Sequence, residues 1–163
     1  MTFGTGDLFP LYFAVAALSL GLASFTNSRL VMRFGMRVLT HTALIGLTTL
    51  SGVFVVVLLA TGDVPSFGLF MAWILAAFFC VGFLFGNLNA LAMEPLGHMA
   101  GLGAALIGSA STLMSLPIGW FIAGQFDGGV LPLVTGFFAS GLATLSVMRW
   151  CERMAPFSGR EPR

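Results

Sequence analysis

Lysine is absent from this 163-residue chain, and charged residues of any kind make up only 8% of it. A water-soluble domain carries about 25% charged residues, so water is not the solvent for most of this sequence. The net charge is +1 and all seven cations are arginine in two clusters, which excludes a nucleic-acid-binding surface. Signatures of catalysis are missing as well. The chain has no HExxH, no GxSxG and no GxxxxGKS/T, and no histidine lies within the membrane to act as a base for Ser109 or Ser111. An enzyme is not expected. Acids are missing from mid-membrane, where proton carriers sit: Asp7, Asp63, Glu94, Asp127, Glu152 and Glu161 all fall in connections, at span ends or in the tail. Cysteine is scarce, and a disulfide between Cys80 and Cys151 would join the middle of one apolar run to the edge of another, so two unpaired thiols are expected. His41 and His98 lack metal-ligand company, which leaves no metal or cofactor to expect.

What remains is apolar. Hydrophobic residues make up 58% of the chain, mean hydropathy is +1.00, and apolar runs recur with polar residues confined to short gaps. The fold class this implies is all-α, a polytopic membrane bundle with five transmembrane helices at about 9–26, 38–61, 67–92, 100–124 and 129–150. At roughly 1.5 Å per residue even the first covers about 27 Å, against a hydrocarbon core of roughly 30 Å. Short connections with turn residues, TGDVPS at 61–66 and QFDGG at 125–129, set neighbouring helices antiparallel. Residues 1–150 then form one membrane domain and 151–163 a cytoplasmic tail.

Charge placement gives the orientation. Arg29, Arg33 and Arg37 follow the first span, while Arg149, Arg153, Arg160 and Arg163 end the fifth and fill the tail. Five crossings put both clusters on one side, and Asp7, Asp63 and Asp127 on the other. The positive-inside rule places the C-terminus in the cytoplasm and the N-terminus outside. The opening MTFGTGDLF carries an acid and no basic residue, so it does not read as a cleaved signal. An odd number of spans starting outside leads us to expect a missing upstream part.

Three features are candidates for function. In the fourth span Gly101, Ala104, Ala105, Gly108, Ser109 and Thr112 recur at three- and four-residue spacing, and the first span has a similar face in Ala14, Ala17, Gly21 and Ser24. Such faces let helix backbones approach closely in lipid, either as a rocking contact or as permanent packing. Pro117 removes the hydrogen bond to the Leu113 carbonyl and bends its helix, as a gate or as a static kink, with Thr112 and Ser115 close enough to satisfy the freed group. In the third span Trp73, Ala77, Cys80, Leu84 and Asn87 share a helical face, with Phe79 and Phe83 beside it. That face suits a pocket wall for a lipophilic ligand. Alternatively, its aromatics face lipid while Asn87 and Asn89 hydrogen-bond to neighbouring helices.

Two segments carry a resemblance. NSRLVMRFGMR (Asn27 to Arg37) is similar to the second copy of the cytoplasmic loop of the major facilitator superfamily: Arg33, Gly35 and Arg37 fit, while Ser28 and Met32 replace a glycine and an acid. NALAMEPLGHMAGLGAALIGSAS (Asn89 to Ser111) resembles the junction of the tenth and eleventh helices in that superfamily's Bcr/CflA-type drug/proton antiporters. The resemblance implies a partial major facilitator fold, with the five spans as helices eight to twelve. It implies a cytoplasmic loop of Asn27, Arg29, Arg33, Gly35 and Arg37. The first and fourth spans, with Gly21, Gly101, Gly108, Ser109 and Pro117, would line a gating interface with a missing N-terminal half. The third would bring Trp73, Phe83 and Asn87 to a substrate cavity, and the second and fifth would be outer supports. Implied partners are the bilayer, that N-terminal half, a small lipophilic substrate and protons; the implied location is the bacterial inner membrane. The expected function is the C-terminal part of a multidrug exporter unable to transport alone. A free-standing five-span structural subunit is the rival reading, and a channel comes third for want of a charged ring or carbonyl-rich filter.

Overall fold

Residues 8–62, 65–126 and 128–154 are described by the computed structural model of the chain. Among them there is no strand. The elements are α1 (Phe9–Phe34), α2 (Met36–Thr61), α3 (Phe67–Met93), a 3-10 segment (Glu94–Met99), α4 (Ala100–Gly124) and α5 (Leu131–Met154). Asp7, Asp63, Asp127, Arg160, Glu161 and Arg163, with most of the 151–163 tail, lie outside the described residues.

The first connection differs from expectation. The segment from Asn27 to Arg37 is helix except at Gly35, whose φ of 80° ends α1 and whose N–H donates to the Val31 carbonyl at 2.9 Å. The reason is physical: polar residues can leave the apolar medium without breaking i to i−4 bonding, and a residue at positive φ is what breaks it. Thr26 and Ser28 reinforce the continuation, donating their hydroxyls to the Leu22 and Phe25 carbonyls. The other helices begin and end close to the expected limits, with α5 running on to Met154. Ser66 caps α3, its hydroxyl oxygen accepting from the Leu69 N–H at 3.4 Å.

Among the described residues, four helical stretches are long and apolar enough to cross a membrane, which marks the chain as an integral membrane protein. One of them, Phe67–Gly124, is 58 residues long and contains the 3-10 segment. It is not one rod. Phe70 and Gly119 line a common cavity, whereas a straight helix would hold them roughly 70 Å apart. The chain therefore reverses around Pro95.

Contacts fix the helix directions. Ser19 donates to the Leu75 carbonyl at 2.7 Å and Asn27 bonds Asn87, so α1 and α3 run parallel. Phe54 stacks on Trp73 while Gly46 faces Cys80, so α2 opposes α3. Gly52 meets Phe138 and Thr48 meets Gly141, so α2 opposes α5 as well. The core lies among α2, α3 and α5: Leu44, Leu47, Phe54, Leu58, Trp73, Ala77, Leu84, Val130 and Val134. Two glycines make the close approaches possible. A Cβ at Gly82 would strike Ala23, and one at Gly141 would strike Thr48, so α1 meets α3 and α2 meets α5 nearly backbone to backbone. The second helix, expected to be an outer support, is the most buried: 39% of its apolar window is covered, against 17% for α1 and for α5.

Candidate functional site

Trp73, Phe83 and Asn87, which the sequence groups as a cavity wall, are all buried, at 3%, 7% and 2% exposure. Trp73 is the hub of an aromatic cluster. Its indole stacks on Phe54 at 5.3 Å and Phe70 at 5.9 Å, and meets Phe137 edge to face at 5.5 Å. The cluster thus ties α2, α3 and α5 together through dispersion and quadrupole contacts that do not depend on water. The Trp73 Nε1 and the Ser51 Oγ are buried without a hydrogen-bond partner. Phe83 packs against Phe79 at 5.3 Å.

Asn87 makes a reciprocal side-chain contact between α3 and α1. Its amide nitrogen donates to Asn27 Oδ1 at 2.8 Å, and the Asn27 amide donates back to Asn87 Oδ1 at 3.1 Å. Each amide is both donor and acceptor to the other, which suits a medium with no water to complete the bonding. Asn27 reaches this position because α1 stays helical beyond residue 26. Asn89 bonds within its own helix, to the Phe85 carbonyl at 2.8 Å.

The described arginines gather at the same end of the bundle as this pair. Arg29 lies over the Phe25 ring at 4.4 Å and Arg33 over Phe34 at 5.4 Å. Arg37 approaches Glu94 at 3.9 Å, an exposed contact that links the α1–α2 junction to the reversal after α3. Continuing the α2–α5 register from Thr48 and Gly141 sets Arg149 and Arg153 level with His41 and Arg37. No group of three or more metal-capable side chains occurs among the described residues.

Two apolar cavities flank α4, and none of Trp73, Phe83 and Asn87 lines either. One, of about 270 Å³, runs between Leu84 and Leu88 of α3, Ile122 of α4 and the Leu133 to Thr144 face of α5. The other, of about 710 Å³, opens at the far end beside Phe70, Gly119, Phe126 and Pro132. Sequence reasoning missed both, because their walls are ordinary leucine, phenylalanine and glycine positions with no polar marker. Gly136 is a partial signal, since the Ile122 side chain fills the space a Cβ there would take, 2.7 Å away.

The gating candidates sit elsewhere. Of the 25 residues of α4, only Gly103 is buried, against Leu96 and Met93. Gly101, Gly108, Ser109 and Pro117 are exposed, as is Gly21 on α1 with Ala14, Ala17 and Ser24. The small residues that α1 does bury are Ala16, Ser19 and Ala23, one face round. The helix continues through Pro117. Thr112 and Ser115 donate to the Gly108 and Thr112 carbonyls at 2.9 and 3.2 Å, so neither hydroxyl is directed to Leu113.

No protein-family model, curated protein or solved structure matches the chain, and none carries the resemblance to the major facilitator superfamily.

Proposed function

We propose that this chain is the five-crossing C-terminal part of a secondary active transporter of the major facilitator type, exporting small lipophilic compounds against protons. It works with a second helical unit and does not transport alone. The observation that carries this reading is α4: a 25-residue apolar helix with only Gly103 buried and its small-residue face bare. Helices of that kind associate in lipid through close backbone packing, and two halves rocking about a shared midplane are the general design of such transporters. The bare faces on α1 and α4 are the two that the resemblance assigns to the moving interface. The alternation of helix directions, with reversal near Pro95, supports five crossings, and the arginine-rich end is assigned to the cytoplasmic side of a bacterial inner membrane.

One observation favours a second reading. Trp73 and Asn87 are engaged inside the chain, and a structural subunit would use them that way too. Accumulation of a fluorescent lipophilic cation in cells separates the two. The transporter reading expects efflux only when the chain is co-expressed with a seven-helix complementing unit; efflux by the chain alone contradicts it, and a stable complex without efflux favours the subunit.

A further inference from the structure

One side of α1 carries the exposed stripe Val15, Leu18, Leu22 and Phe25, followed on the same side by the exposed Arg29 and Arg33. We propose that this stripe seats an anionic phospholipid of the leaflet at that end of the bundle. Its acyl chain lies along the four apolar side chains and its phosphodiester between the two guanidiniums. The inference rests on membrane residence alone and not on transport. The six positions recur at spacings of three and four, which aligns them along the helix. At about 3.6 residues per turn, that side lies about a third of a turn from the buried Ala16, Ser19 and Ala23. It is about as far from the small-residue face around Gly21, so lipid here leaves that face free. From Val15 to Phe25 the stripe runs about 15 Å, the hydrocarbon depth of one leaflet. Arg29 and Arg33 lie about 30 and 36 Å along the axis from Phe9, past a hydrocarbon core of roughly 30 Å and within the headgroup layer.

Side-chain direction and charge select the headgroup. Side chains on a helix lean toward its N-terminus, so both arginines reach back toward the bilayer. Arg29 already does so, with its guanidinium 4.4 Å over the Phe25 ring. Arg37 has Glu94 at 3.9 Å, whereas among the described residues no carboxylate lies within ion-pair distance of Arg29 or Arg33. Nor do the described residues of α5, the helix that includes Glu152, touch α1. Two like charges one turn apart repel each other, and a phosphodiester between them reverses the sign of that interaction while accepting forked hydrogen bonds from both. Phosphatidylethanolamine offers the same phosphate but brings an ammonium against two guanidiniums, so a net-anionic lipid is preferred. An acidic segment of a protein would match the arginines too, but the apolar stripe continuous with them fits an acyl chain.

The test is native mass spectrometry of the full chain released from nanodiscs of mixed phosphatidylglycerol and phosphatidylethanolamine. The expected result is preferential retention of phosphatidylglycerol, not displaced by glycerol phosphate, which has the anionic group without the chain. Arg29→Gln with Arg33→Gln should lower that preference roughly tenfold. Should that variant fail to insert, Arg29→Lys with Arg33→Lys keeps the charge, loses the fork and should lower the preference roughly threefold. Arg149→Gln with Arg153→Gln removes as much charge from the same end but off the stripe, and should leave the preference unchanged. Four results overturn the proposal: no anionic preference, a preference indifferent to Arg29 and Arg33, an equal loss in the Arg149 and Arg153 variant, or displacement by glycerol phosphate. Loss of the retained lipid on co-expression with a second helical unit overturns it as well, because it would give the face to protein.

Discussion

The α2–α3–α5 core and the α4 helix have similar apolar composition and opposite fates. In the core, Trp73 packs against Phe54, Phe70 and Phe137, and Leu58, Ala77 and Val134 are within 1% of complete burial. On α4, Leu113, Met114 and Trp120 are each more than 70% exposed. In water such a difference would require explanation by solvation. In lipid it does not, because acyl chains are as apolar as leucine and helices gain by association only through close packing and hydrogen bonds. What separates the regions is therefore shape: Gly82 and Gly141 meet complementary side chains within the chain, while Gly101 and Gly108 meet nothing. Hydrophobicity puts both regions in the membrane, and small-residue placement decides which is assembled.

Substitutions can break this comparison, and the largest effect belongs to the core. Trp73→Ala removes the hub of the aromatic cluster and should cost about 3 kcal/mol in a detergent-unfolding titration; an effect under about 0.5 kcal/mol would mean that the cluster does not hold α2, α3 and α5 together. Gly141→Leu should come next, at about 2 kcal/mol, by forcing α5 away from Thr48. An insensitive unfolding midpoint would contradict the close approach. For the amide pair, a double-mutant cycle with Asn27→Ala and Asn87→Ala should give a coupling energy of about 1 kcal/mol. Additivity within about 0.3 kcal/mol would show that the pair is not formed. The smallest effect is expected on α4. Gly108→Leu should change the stability of the isolated chain by less than about 0.5 kcal/mol while abolishing efflux of the complemented pair. A large loss in the chain alone would place that face in the core instead.

Helix existence was legible in the sequence because apolar run length reports it directly, and α2, α3 and α4 follow their expected limits closely. The Asn27 segment stays helical where the sequence predicts a connection, because loss of hydrophobicity marks where a chain leaves lipid, not where its helix stops; Gly35 marks the second. Asn87, which the resemblance assigns to a cavity wall, has its hydrogen-bond partner 60 residues away, and no local periodicity encodes that distance. Trp73 was legible as important and illegible in role, since a pocket wall and a core hub share the same face pattern. The grooves beside α4 depend on how far α4 stands from α3 and α5, a property of packing with no counterpart in one-dimensional spacing.

Photolabelling by a lipid-soluble carbene precursor, applied to the isolated chain in a bilayer and read by mass spectrometry, tests the contrast without any substitution. Dense modification of Leu113, Met114, Leu116 and Phe121 with sparse modification of Leu44, Phe54, Leu58 and Ala77 is the predicted result. Equal protection of α4 and α2 in the chain alone would contradict the account, because it would leave no bare helix for a second unit to cover.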